Sequence, residues 1–181
     1  LREYAEKFQV SATVSKERET RPALPSGVPI LKRDRHLPFH YPAGSAQSRM
    51  WLIQALNPDS TAYHVPERWE VEGAFDANRL MEVIRMMVQR HEALRTRLEV
   101  EESGIFQVVE PEIPWDSEFR DFSGETAEKR EELLEGTLRE FSSRPFPVEG
   151  RALFRVGIYQ KAAWQHTVLF VFHHAIMDGW S

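Results

Sequence analysis

The sequence predicts an α/β sandwich in which helices pack on a mixed β-sheet. Three observations carry that expectation: a helical apolar stripe between Asp76 and His91, apolar–polar alternation at Leu94–Val100 and Phe154–Ile158, and a run, Thr167–Phe172, that is apolar on both faces. Taken in order, the elements read strand, helix, two strands, helix, two strands, which fits helices laid on a sheet.

Composition bounds the rest. With 181 residues, 41% hydrophobic and 28% charged, the chain can bury a core as one main domain. Its 23 basic and 28 acidic residues give a formal charge of −5, so no global basic field invites a polyphosphate backbone and nucleic acid is not an expected partner. The absence of cysteine excludes disulfides, Cys-ligated zinc, thiolate nucleophiles and iron–sulfur clusters. The longest unbroken apolar run, Val168–Phe172, falls far short of the roughly 20 residues needed to span a bilayer, and no basic segment followed by an apolar one opens the chain. No membrane association and a cytoplasmic location are expected.

Along the chain, Leu1, Tyr4, Ala5 and Phe8 stand at helical spacing with no start signal before them, so residues 1–8 read as the end of a helix from a preceding domain. Residues 9–35 are polar, carry Pro22, Pro25 and Pro29, and have no apolar period, which marks a linker. Order is expected to begin at His36–Tyr41 and to pass into a helix capped by Ser45. That helix turns Ala46, Met50, Trp51, Ile53 and Leu56 inward and stops at Asn57-Pro58. Arg68–Val71 is a short strand. Asp76 caps a helix whose inward stripe is Leu80, Val83, Ile84, Met87 and His91. Leu94–Val100 and Ile105–Val109 form a hairpin turned at Ser103-Gly104. A helix over Glu125–Phe141 buries Leu134, Leu138 and Phe141 beneath a solvated acidic face. Phe154–Tyr159 is a half-buried strand with Arg155, Gly157 and Tyr159 on its wet side, and Thr167–Phe172 is a central strand. Met50, Trp51 and Trp180 read as core, and His36, His40, His64 and His166 as surface or turn residues.

The central strand runs into His173-His174-Ala175-Ile176-Met177-Asp178-Gly179-Trp180-Ser181. Adjacent residues at a strand end point to opposite faces, so one histidine enters the protein and the other looks outward. Three readings stand open: a core histidine satisfied by a backbone carbonyl, a metal ligand, or a general acid/base at neutral pH. Metal fits poorly, because consecutive histidines diverge and no third His or Cys stands at ligand spacing.

HHAIMDGWS resembles the HHxxxDG signature of condensation domains from nonribosomal peptide synthetases. Arg90–Thr96, RHEALRT, is similar to that family's RHExLRT motif, and Ser45–Trp51, SAQSRMW, to its SxAQxRLW motif, with Met50 where leucine is usual. The resemblance implies a chloramphenicol-acetyltransferase-like lobe spanning residues 36–181, the N-terminal lobe of a condensation domain that ends within its third motif, preceded by a linker and the last helix of a carrier protein. It implies amide formation between a donor acyl or peptidyl thioester and an acceptor aminoacyl thioester. His174 would be the catalytic residue, His173 a structural one pointing inward, and Asp178 a structural one held by an arginine. Arg90, on the flank of the helical stripe, and Arg95, just past Leu94, are the candidate partners of Asp178. Gly179 would allow close approach of the pantetheine arm.

No metal or bound cofactor is implied for this chain, since phosphopantetheine belongs to partner carrier domains. The implied partners are upstream and downstream carrier domains, the C-terminal lobe and an adjacent adenylation domain. Without the opposite lobe, the piece is expected to be inactive and to expose an apolar interface at Val168–Phe172 and Trp180. Rival readings are a stand-alone acyltransferase of the same fold and a noncatalytic carrier-protein docking domain.

Overall fold

The computed structural model describes residues 36–147 and 150–178. The expected carrier helix and linker, together with Gly179 and Trp180, lie outside the described residues.

Among the described residues, seven strands form two sheets. β1 (Phe39–Pro42), β4 (Gly104–Val109) and β3 (Thr96–Glu101) make an antiparallel sheet in the order β1-β4-β3. β2 (His64–Glu72), β7 (Gln165–His173), β6 (Phe154–Ala162) and β5 (Asp116–Asp121) make a mixed sheet in the order β2-β7-β6-β5, parallel only between β5 and β6. The helices are α1 (Ser45–Leu56), α2 (Ala77–Arg90) and α3 (Ala127–Ser143), with a 3-10 turn at Glu92–Arg95. This is the α/β class expected.

Alternation along β7 explains how the mixed sheet is covered. Leu169 and Val171 face a core built with Leu134, Leu138 and Phe141 of α3, Trp51 of α1 and Leu98 of β3. Val168 faces the other way, into a core with Ile84 and Val88 of α2 and with Val156 and Ile158 of β6. The inner strands β7 and β6 are therefore buried on both faces over most of their length, and β7 is central, as its doubly apolar sequence requires. The run Val168–Phe172, expected to form an exposed interface, is instead interior or half-buried, since two helices already cover it.

Several local expectations are corrected. α1 takes Gly44 as its cap, and its inward side is Trp51 and Gln54 with Gln47 half-buried; Ala46, Leu52, Ile53 and Leu56 are exposed. Gln54 is accommodated inside by donating to the Pro58 carbonyl at 2.9 Å. α2 is capped by Asp76, which accepts from the N–H groups of Asn78 and Arg79 at 2.9 and 3.1 Å. Its stripe is rotated from the expected one: Ile84 and Val88 are buried, Val83 and Met87 are exposed, and His91 has already left the helix. β2 is longer than Arg68–Val71, and β1 and β5 were not expected from the sequence at all. β6 is buried on both faces over Phe154–Tyr159, because Tyr159 faces the core under α3 while Phe154, Val156 and Ile158 face the core under α2.

Candidate active site

β7 ends at His173, paired in register with His64 of β2. His173 lies on the same side of the strand as Leu169 and Val171, and it is fully buried. Its ring meets those of Trp51 and Phe146 edge-on, with centroids 5.7 and 6.0 Å apart. Its main-chain N–H donates to the Leu153 carbonyl at 2.8 Å, and its Nδ1 accepts the Ala175 N–H at 3.1 Å. An Nδ1 that accepts leaves the ring proton on Nε2. Burial, with the neighbouring His64 and His174 adding to it, pushes the pKa of His173 down to about 4, so the imidazole is neutral near pH 7.

One peptide later the surroundings invert. His174 is exposed. Its main-chain N–H donates to the Tyr63 carbonyl at 2.8 Å, and its Nδ1 lies 2.8 Å from the Met177 carbonyl. A carbonyl can only accept, so Nδ1 carries the proton in this bond and the lone pair of the neutral ring is on Nε2. The Ile176 N–H closes the turn on the His173 carbonyl at 3.1 Å.

A side chain from α1 braces this loop. Gln47 Nε2 donates to the Ala175 carbonyl at 2.8 Å and to Gln107 Oε1 of β4 at 2.9 Å, while its Oε1 accepts the Gly44 N–H at 3.0 Å. Trp51, one helical turn further on, supplies the ring against His173. The motif SAQSRMW thus contributes a brace and a packing wall. Sequence reasoning placed Trp51 in the core and gave Gln47 no role; its position one turn before Trp51 was the available signal.

Asp178 is exposed at the end of the loop. Of the two arginines suggested for it, one lies outside and one inside. Arg90 closes α2 and is exposed rather than drawn inward. Arg95 is buried, and its guanidinium is met by the Glu110 main-chain oxygen at 2.5 Å and by Glu92 at 3.9 Å. A second arginine drawn into the core is Arg155, expected on a wet face but buried on β6. It lies over the rings of Phe146 and Phe141, at 4.3 and 5.6 Å, and donates to the carbonyls of Arg144, Ser142 and Pro145. Burial, with the charge of Arg144 adding to it, pushes its pKa down to about 10.

His64 is likewise no surface residue. Its Nδ1 lies 2.8 Å from the Ser142 carbonyl, its ring packs edge-on against Phe146, and burial lowers its pKa, with Arg155 adding to the effect. His166 is buried on β7 against Phe75. His36 and His40 are exposed as expected.

Among the described residues no group of three or more His, Cys, Asp or Glu is arranged to hold a metal ion. Among them, too, no helix is long and apolar enough to cross a membrane. An exposed imidazole on a braced loop, backed by an aromatic core, is chemically suited to accept or deliver a proton or to orient a reacting amine.

The motifs and this loop meet in a single class. The chain belongs to the condensation domain family, whose model matches residues 39–181. It is similar to surfactin synthase subunit 1 of Bacillus subtilis (strain 168), 36% identical over 139 residues, covering 77% of this chain and 4% of the relative. It is also similar to bacitracin synthase 3 of Bacillus licheniformis, 30% identical over 140 residues, covering 77% of this chain and 2% of the relative. The chain therefore spans only a few per cent of the length of these curated relatives. Among solved structures, the starter condensation domain of rhizomide synthetase RzmA shares the fold at a TM-score of 0.71 and 22% identity, over 78% of this chain and 34% of that one. Holo-AB3403, a four domain nonribosomal peptide synthetase bound to AMP and glycine, matches at a TM-score of 0.68 and 25% identity, over 83% of this chain and 11% of that one.

Proposed function

We propose that the chain provides the histidine-bearing lobe of a domain that forms an amide between two carrier-bound thioesters. The observation that carries the reading is His174: exposed, with Nδ1 tied to the Met177 carbonyl and the lone pair left on Nε2. The amine nitrogen of the acceptor attacks the carbonyl carbon of the donor thioester. As the C–N bond forms and the C–S bond breaks, the amine proton passes to His174 Nε2 and on to the departing thiolate. A thioester is already activated, so orientation of the amine by Nε2 contributes alongside proton transfer.

His173 supports the loop from within. Asp178 shapes its far end, and Gly179, outside the described residues, is where a pantetheine arm would approach. Phosphopantetheine belongs to upstream and downstream carrier domains. A C-terminal lobe supplies the opposite wall, an adenylation domain is the expected neighbour, and the protein acts in the cytoplasm. Residues 1–8 would close the upstream carrier domain and 9–35 link it to this lobe.

In the full natural polypeptide, His174→Ala is expected to slow single-turnover condensation between loaded carriers by about 100-fold or more, with folding intact. A folded His174→Ala protein that condenses at the normal rate would overturn the reading.

A further inference from the structure

We infer that Gln47 is a positioning residue for His174, acting through the loop that carries it; the inference rests on the condensation reading above. The orientation of its amide is fixed by its partners. The Gly44 N–H can only donate, so Oε1 faces it; the Ala175 carbonyl can only accept, so Nε2 faces that, and the second N–H goes to Gln107 Oε1. One side chain thereby joins three segments: the start of α1, β4 of the antiparallel sheet, and the loop that follows β7 of the mixed sheet.

The place of attachment is what links Gln47 to the imidazole. The bond from His174 Nδ1 to the Met177 carbonyl closes a ring of main chain running through Ala175 and Ile176. The carbonyl that Gln47 holds lies inside that ring. The peptide N–H groups of His174, Ala175 and Ile176 are bound to the Tyr63 carbonyl, His173 Nδ1 and the His173 carbonyl, all on β7, on the loop or just before β2. Gln47 brings in a restraint from the other sheet. Without it the peptide between Ala175 and Ile176 keeps the bond from its N–H to the His173 carbonyl but loses the tie on its oxygen, so it can pivot about that bond, the Met177 carbonyl moves with it, and the ring of His174 follows. A displacement of about 1 Å at a reacting group can cost about 100-fold in rate.

The test compares variants in the full natural polypeptide, with carriers loaded before mixing. Gln47→Glu keeps the acceptor for the Gly44 N–H but sets an oxygen against the Ala175 carbonyl and Gln107 Oε1, so it removes the brace and spares the helix start. The expected result is a fall in kcat of about tenfold to 100-fold with KM for the loaded acceptor changed by less than about twofold. Gln107→Leu, which removes one donated bond and leaves the one to Ala175, is expected to lower kcat by about two- to fivefold, and it carries the test should Gln47→Glu fail to fold. Unchanged kcat in folded Gln47→Glu and Gln107→Leu proteins, with His174→Ala inactive, would overturn the positioning role and leave the condensation reading standing. A loss that merely tracks the fraction of folded protein, with kcat per folded molecule unchanged, would overturn it as well. Full activity in His174→Ala would overturn both.

Discussion

His173 and His174 carry the same side chain one peptide apart, and they occupy opposite regions of the molecule. The inner region is an aromatic core in which His173 sits among Trp51, Tyr63 and Phe146. The outer region is a hydrogen-bonded loop held by Tyr63, Met177 and Gln47. The difference teaches that a strand end can sort two chemically identical groups into a buried and an exposed one by the alternation of side chains alone. It also sets what each region should answer to: changes inside should be read in stability, changes outside in turnover.

The largest effect is expected deep inside, on β6. The ring of Tyr159 folds back over Gly157, and a Cβ at that position would clash with its hydroxyl and ring carbons, far closer than van der Waals contact allows. Tyr159 in turn donates its hydroxyl to Glu118 at 2.9 Å, and burial together with that bond holds the phenol protonated. Gly157→Ala must therefore displace a fully buried tyrosine, and it is expected to cost about 3 kcal/mol in urea unfolding. A Gly157→Ala protein as stable as the parent would mean that the inner region is looser than its packing indicates.

Acid should act on the inner region next. His173 has a pKa of about 4 when folded against an ordinary value of 6.5. Between these values the unfolded chain binds the proton more readily, so the stabilising contribution is complete above about pH 6.5 and falls away as pH drops towards 4. The loss amounts to about 3 kcal/mol. Lowered values at His64 and His166, both chiefly from burial, add in the same direction. Urea unfolding at a series of pH values should show this slope, and His173→Phe should flatten it. A slope untouched by His173→Phe would assign the acid sensitivity elsewhere.

The smallest effect is expected at an exposed histidine away from the loop. His40 on β1 meets Glu101 at 3.5 Å, with both side chains solvated. His40→Ala should change stability by less than about 0.5 kcal/mol and leave condensation unaltered, because an exposed pair of this kind contributes little. A marked loss of turnover would show that exposure alone, without a braced loop, confers a role.

How far the sequence could be read divides along the same line. β7 was legible because a strand buried on both faces must be apolar on both, and Thr167–Phe172 is. The buried side of α3 was legible because Leu134, Leu138 and Phe141 keep the helical period. β5, DSEFRD, was not, since it pairs in parallel with a strand distant in sequence and its charges hide the alternation. The face of α1 was misread because the groups it turns inward include Gln47, whose hydrogen-bond partners lie on β4 and after β7, and Gln54, whose partner is the Pro58 carbonyl beyond the helix end. His64 and Arg155 escaped because each is bonded to main-chain oxygens near the end of α3, far from it in sequence or on another element. The candidate site was legible through its motif, while the bonds that orient His174 depend on which segments meet it in the fold.

The division between the two histidines is tested most directly by carbethoxylation of the full natural polypeptide with diethyl pyrocarbonate at pH 7, followed by peptide mapping. His174, exposed with a free Nε2 lone pair, should be modified early, and condensation should fall in step with it. His173, fully buried, should stay unmodified until the protein is unfolded. Modification of His173 at a rate matching that of His174 in the folded protein would contradict the assignment of the two side chains to opposite faces.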